Sequence, residues 1–233
     1  MRIIFITSLV FFLFISCSNS KGIPEEKAQL PQGLKAVIVK NFDFENSPIG
    51  KLPSGWSNHF TGRGKLGTWQ VIKDNDNKVL AQLSLENHGY HFNLAIYDEL
   101  ELNDLELTVD FKGVKGKEDQ GGGPVWRYQD ENNYYVARAN PLENNFRVYK
   151  VVNGNRQQMA SARIKIPSNK WHNIKIRMIG DHIECFYNGF KFLDVHDSTF
   201  KKAGKVGLWT KADAYTYFDN VKIFKISQSE DNK

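Results

Sequence analysis

The chain has 233 residues, a formal net charge of +5, 41% hydrophobic and 13% aromatic residues. That length suits one large domain with a substantial core. The positive excess is mild and its Lys and Arg are interspersed with acids, which argues against a nucleic-acid partner; it suits uronate or sulfate groups on a glycan better than a strongly basic partner.

At the N-terminus, Arg2 precedes the apolar run Ile3 to Ile15. The run is shorter than the roughly 20 residues of a relaxed membrane span and suits the core of a signal peptide. Phe14-Ile15-Ser16-Cys17 resembles a lipobox, the processing site of bacterial lipoproteins. That resemblance implies acylation of Cys17 and anchoring in the cell envelope, at the outer membrane since no Asp follows Cys17. Ordinary secretion with cleavage between Ser16 and Ser20 is the alternative. Residues 1–17 are therefore expected to be a signal segment, 18–34 a polar tether, 35–228 the folded domain and 229–233 a tail. With Cys17 acylated, Cys185 has no partner for an internal disulfide. It alternates with Ile183 and Tyr187 and reads as a buried, inert thiol.

Beyond the tether, no long segment shows helical periodicity, and short apolar alternations bounded by Gly, Asn and Asp recur throughout. Strands are predicted over Ala36–Phe44, Trp69–Lys73, Val79–Glu86, His91–Tyr97 and Leu105–Lys112. The acid-rich run from Asp98 to Glu106 reads as the polar face of a strand. Gly113 to Gly123 reads as a flexible loop beside the site, with no phosphate-binding signature. Two strands then flank the turn Asp130-Glu131-Asn132. Phe146–Val152, which precedes the turn Asn153-Gly154-Asn155, then Gln158–Ile166, Trp171–Ile179, His182–Tyr187, Phe190–Val195, Val206–Thr210 and Thr216–Ile226 complete the series. Gly180-Asp181 and Asn188-Gly189 are hairpin signals, since a tight turn needs positive φ at its centre. So many short strands imply an all-β fold of two packed antiparallel sheets, a β-sandwich of the jelly-roll kind.

Alternation also divides the faces. Trp126 and Tyr128 inward put Arg127 outward. Tyr135 and Ala137 inward put Tyr134, Arg138 and Asn140 outward. Val148 inward puts Arg147 and Tyr149 outward, and Val206 and Leu208 inward put Trp209 and Lys211 outward. These eight residues, Arg127, Tyr134, Arg138, Asn140, Arg147, Tyr149, Trp209 and Lys211, form a predicted solvent face for carbohydrate. Arg offers a rigid fork of donors to hydroxyls or carboxylates, and an aromatic ring can stack on a sugar. Trp69, Trp126 and Trp171 are expected in the core. His88 and His91 flank Gly89-Tyr90, where they could ligate metal or act as a base.

Several segments resemble the concanavalin A-like, laminin-G-like jelly rolls of bacterial surface proteins. They are Asp43-Phe44-Glu45 with Pro48 to Trp56, Gly121 to Asn140, Trp171-His172, Tyr187-Asn188-Gly189, Gly204 to Thr210 and Phe218-Asp219-Asn220-Val221. Within that group the chain is similar to the 3-keto-disaccharide hydrolase-like branch, in the neighbourhood of glycoside hydrolase family 16. Members of the branch carry Asn-Ser-Gly before the arginine strand and an acid after a tyrosine in the next strand; here Gly121-Gly122-Gly123 and Val136 stand in those places. The resemblance implies a lectin-like polysaccharide binder, a glycoside hydrolase, a lyase using Tyr134 or Tyr149 beside Arg138, or a non-catalytic envelope module. The Glu-x-Asp-x-x-Glu pattern of laminarinase-type jelly rolls is not matched by the run from Asp98 to Glu106. The resemblance also implies a structural calcium ion where first and last strands meet, with Asp43, Glu45 and Asp219 as hard oxygen ligands. A monomer is expected.

Overall fold

The computed structural model describes residues 29–229. The expected signal segment, Cys17, most of the tether and the end of the tail lie outside the described residues. The chain runs β1 (Leu34–Phe42), β2 (Trp56–Gly62), β3 (Trp69–Asp74), β4 (Asn77–Gln82) and β5 (His91–Leu102). It continues through β6 (Leu105–Lys115), β7 (Gly122–Asp130), β8 (Asn133–Asn140), β9 (Asn145–Val152) and β10 (Asn155–Arg163). The last five strands are β11 (His172–Ile179), β12 (His182–Tyr187), β13 (Phe190–His196), β14 (Gly204–Lys211) and β15 (Tyr215–Gln228). They form an eight-stranded sheet, β13-β12-β11-β6-β15-β4-β3 with β1 added on β15, and a seven-stranded sheet, β10-β9-β8-β7-β14-β5-β2. Every pairing is antiparallel. The all-β jelly-roll expectation therefore holds.

The turns sit where the sequence places them. Asn188 and Gly189 adopt φ of 47° and 86°, and Asn153 and Gly154 adopt 49° and 77°, the doubly positive geometry of a tight hairpin. The acid-rich run becomes the end of β5 and the turn into β6, as a strand should. Two local readings need correction. β2, Trp56–Gly62, is a strand the sequence reading leaves out, because Ser57, Asn58 and His59 interrupt its apolar signal; it pairs with β5 from Trp56↔Tyr97 to Gly62↔His91. The end of the glycine-rich segment is not a loose loop. Gly122 and Gly123 open β7, and a Cβ on Gly123 would lie 2.1 Å from the Ala137 carbonyl oxygen, so only glycine lets these backbones approach.

The main core lies between the sheets. Trp69, Val109, Phe111, Trp126, Tyr135, Phe146, Ile174, Ile176 and Phe218 are among its members. Cys185 is fully buried there and burial pushes its thiol well above the usual range, as expected of an inert thiol. Trp69 and Trp126 are core residues as predicted. Trp171 is not: it is 39% exposed, with the Lys112 ammonium 4.9 Å from its ring centre.

Candidate carbohydrate site on the seven-stranded sheet

The sheet's other face carries a second apolar cluster: Phe92, Leu94 and Ile96 from β5, Val125 and Tyr128 from β7, Tyr134 and Val136 from β8, Tyr149 and Val151 from β9, and Trp209 from β14. These residues are almost wholly buried, although the partner sheet lies on the opposite side. Curvature is the cause. Arg156 on β10 and Phe92 on β5 are separated by four intervening strands, or about 24 Å across a flat sheet. Yet the Arg156 guanidinium lies 4.8 Å from the Phe92 ring centre, 4.6 Å from that of Tyr149 and 5.8 Å from that of Trp209. The sheet therefore curls until its edges meet over this face, and an arginine caps the aromatic rings by cation–π contact. Tyr90 fastens the closure: its hydroxyl donates to the Gly154 carbonyl at 2.8 Å and accepts the Arg156 N–H at 2.6 Å. Beside it the Thr61 hydroxyl bonds the Glu131 carbonyl and the Tyr134 hydroxyl, next to the Gly154–Asn132 backbone contact.

Seven of the eight predicted site residues project on this concave face, so the alternation reads the parity of β8, β9 and β14 correctly. The solvent-face reading does not hold for most of them. Tyr134 and Trp209 are sealed in the cluster, with Trp209 Nε1 donating to the Tyr134 hydroxyl at 3.3 Å. Neither ring is open for a sugar to stack on. Tyr149, Arg138 and Asn140 are buried as well. Arg127 is not on this face. It adopts φ of 45° at a bulge between Trp126 and Asp130, which reverses the parity of β7 beyond it. Tyr128 consequently joins the concave cluster, and the Arg127 guanidinium turns away to the carbonyls of Asn103, Phe200 and Gly180.

At one end of the face the cluster gives way to a polar network. Arg138 donates to Asp119 at 3.1 Å, Glu143 at 2.9 Å and Asn145 at 2.8 Å. Arg147 donates to the same Glu143 oxygen at 3.1 Å. Lys211 pairs with Glu118 at 3.3 Å and lies 3.8 Å from Asp119. Asp213 holds the adjoining loop by accepting the backbone N–H groups of Lys117, Glu118 and Asp119. Gly116, at φ of 137°, allows that turn. Beside it opens a cavity of about 540 Å³, lined in part by Leu85, His88, Lys117, Glu118 and Asp213, within the usual size of a small-ligand pocket.

The environments of the carboxyls differ. Burial pushes Asp119 up, against the pull of Arg138. Glu143 is drawn down to about 2: partial burial opposes the shift, but the Arg138 and Asn145 hydrogen bonds and the nearby arginine charges outweigh it. Burial also opposes the lowering of Asp213, which its three backbone donors produce. Asp119 is sealed from solvent, whereas Glu143 is 39%, Glu118 34%, Arg147 31% and Lys211 18% exposed at their side chains. The accessible donors and acceptors are therefore Glu118, Glu143, Arg147 and Lys211, with Tyr90 and Leu85 exposed nearby. Glu118, Asp119, Glu143, Asn145, Arg156 and Asp213 escape a strand-by-strand reading. The first two and the last lie in loops brought together by Asp213. Glu143, four residues before Arg147, is the one a search for ion-pair spacing would have found.

The other sequence candidates separate. His91 is buried and satisfied by Arg63 O and Asn93 Oδ1, while His88 is exposed beside Glu118, so the two do not act together. Asp43 accepts from Glu45 N, Glu45 Oε1 from Lys78 N, and Asp219 from Asn77 and Asn220. The Lys78 ammonium donates to the carbonyls of Glu45 and Ser47. Among the described residues, Asp43, Glu45 and Asp219 do not gather as one group of ligand atoms.

Fold and face together define a two-sheet concanavalin A-like jelly roll. Residues 41–224 match the model of the 3-keto-alpha-glucoside-1,2-lyase-like domain, and the chain belongs to that family. Among solved structures it is similar to the carbohydrate-binding module CBM66 from Bacillus subtilis, at 23% identity and a TM-score of 0.57, covering 75% of this chain and 96% of that one. A Bacteroides ovatus mixed-linkage glucan GH16 protein in complex with its product aligns at 12% identity and a TM-score of 0.56, over 82% of this chain and 100% of that one. Domain 4 of AbnA, a GH43 arabinanase from Geobacillus stearothermophilus, in complex with arabinotriose, aligns at 12% identity and 0.53, over 83% and 95%. These likenesses concern the fold. No curated protein matches the sequence.

Proposed function

We propose that the chain binds carbohydrate where the concave face opens beside the 540 Å³ cavity, through Glu118, Glu143, Arg147 and Lys211, and that it favours neutral oligosaccharides. The observation that carries this reading is the charge balance of the network. The cations Arg138, Arg147 and Lys211 are matched within it by the carboxylates Glu118, Asp119 and Glu143. A uronate would face two exposed carboxylates, whereas sugar hydroxyls can donate to these and accept from Arg147 and Lys211. Three similar folds carry carbohydrate in their descriptions, as a binding module, a product complex and an arabinotriose complex. Binding fits better than turnover. By the family resemblance Val136 stands where an acid would be expected, and it is buried among apolar side chains; Asp119, the one carboxyl of the network pushed upward, does not reach solvent.

An envelope location rests on the reading of residues 1–17, and mass spectrometry of the mature N-terminus would show acylation at Cys17. For the site, calorimetry against neutral and uronate-bearing oligosaccharides is the test. We expect micromolar to millimolar affinity, about −8 to −4 kcal/mol, for a neutral glycan, weakened roughly tenfold or more in Arg147→Ala. Preference for a polyuronate, or Arg147→Ala binding like wild type, would overturn the reading.

A further inference from the structure

On the opposite side of the molecule, three ligating side chains meet at the rim of the eight-stranded sheet. β12 and β13 form its outermost hairpin. His182 and His196 are direct cross-strand partners there, so their side chains leave the same face. The two rings stack, with planes inclined by 8° and centres 4.5 Å apart. Asp194 stands two residues before His196, on the same face by the period of a strand, and its Oδ1 is 2.7 Å from His182 Nε2. One ligand atom from each of the three lies within 4.8 Å of the others.

From this geometry we propose a binding site for a divalent transition ion of the zinc, nickel or copper kind, held by His182, Asp194 and His196. Imidazole donors select these ions over calcium and magnesium, which demand oxygen. Around a tetrahedral zinc ion, with bonds of about 2.0–2.2 Å, neighbouring ligand atoms stand roughly 3.3 Å apart. The His182 Nε2–Asp194 Oδ1 spacing of 2.7 Å is shorter than that value and no spacing exceeds 4.8 Å, so the adjustment needed is within the reach of side-chain rotation. The surroundings favour it. His196 Nδ1 is hydrogen-bonded to Asp181 Oδ1 at 3.1 Å, the outer carboxylate that commonly orients a ligating imidazole. Lys191 donates to the second Asp194 oxygen at 3.0 Å and to Glu184 at 3.1 Å, which orients Asp194 and leaves Oδ1 turned to His182. The side chains of His182, Asp194 and His196 are 37%, 45% and 66% exposed, so the ion needs no entry path and keeps open positions for water. The site shares no residue with the carbohydrate face and stands or falls separately.

The test is calorimetric titration of the untagged full-length chain with zinc and with nickel, alongside thermal melts. One ion per chain is expected, with a melting temperature raised by excess zinc. His182→Ala and His196→Ala should each weaken binding at least tenfold, and Asp181→Asn by roughly tenfold, with folding unchanged because these positions are exposed. The absence of saturable binding up to about a millimolar would overturn the proposal. So would a zinc-dependent rise in melting temperature that persists in the His182→Ala/His196→Ala double variant.

Discussion

The outer faces of the two sheets are built on opposite plans. On the eight-stranded sheet, β6 alternates strictly: Leu105, Leu107, Val109 and Phe111 point to the core, while Glu106, Thr108, Asp110 and Lys112 point away. Its outer face carries cross-strand charges, with Glu106 bonded to Arg177 at 2.9 Å and close to Lys175, and Glu184 to Arg177 and Lys191. On the seven-stranded sheet, β8, β14 and the His91–Tyr97 part of β5 are buried almost continuously on both sides. The lesson is that a sheet bent far enough acquires a second core within its own concavity. What is left for a ligand is then the end of the groove, not its floor.

The largest expected effect tests that second core. Trp209→Ala should cost about 3–5 kcal/mol, the range for deleting a fully buried aromatic side chain, in chemical denaturation. An effect under about 1 kcal/mol would mean that the face is open and Trp209 is a surface platform after all. Next is a carboxylate at the rim. Asp197 accepts from the Tyr135 hydroxyl at 2.6 Å and from Lys150 at 2.6 Å, and these partners draw it down to about 2 against the opposing effect of burial. Its folded value lies below its unfolded one. The stability it contributes is therefore complete above about pH 4 and lost as pH falls toward 2, about 2 kcal/mol in all. Asp197→Asn should remove that part of the acid limb and lower stability at neutral pH by a similar amount. An unchanged acid limb would contradict it.

A smaller effect belongs to the cap. Arg156→Ala should cost about 1–2 kcal/mol from lost cation–π contact and raise acrylamide quenching of tryptophan fluorescence, as Trp209 becomes accessible. Unaltered quenching would show that the cap is dispensable. Smallest of all, Lys191→Ala on the charged face of the other sheet should cost at most about 1 kcal/mol, as partly exposed ion pairs do. If Lys191→Ala matched Trp209→Ala, the contrast between the faces would collapse.

Much of this was legible in the chain. The hairpin turns at Asn153-Gly154 and Asn188-Gly189, the division of β8 into Tyr135 and Ala137 against Tyr134 and Arg138, and the inert Cys185 all follow from local rules. Continuous apolar runs such as Leu94 to Tyr97 already hint at burial on both faces. Three things were not legible. Arg127 sits at a bulge, and one extra residue reverses every parity argument beyond it. The curl that brings Arg156 over Phe92 sums twist across the strands between, which no single segment encodes. The network around Arg138 draws on Glu143 from the turn after β8 and on Asp119 from a loop whose placement depends on Asp213, far along the chain.

The most direct test of the binding site is backbone amide chemical-shift mapping by NMR, with the best-bound neutral oligosaccharide titrated into the protein. The predicted result is a set of shifts centred on Glu118, Glu143, Arg147 and Lys211, with the amides around Val125 and Val136 little changed. Shifts centred instead on Arg127, Asn103 and Gly180, or along the middle of β8 and β14, would contradict it.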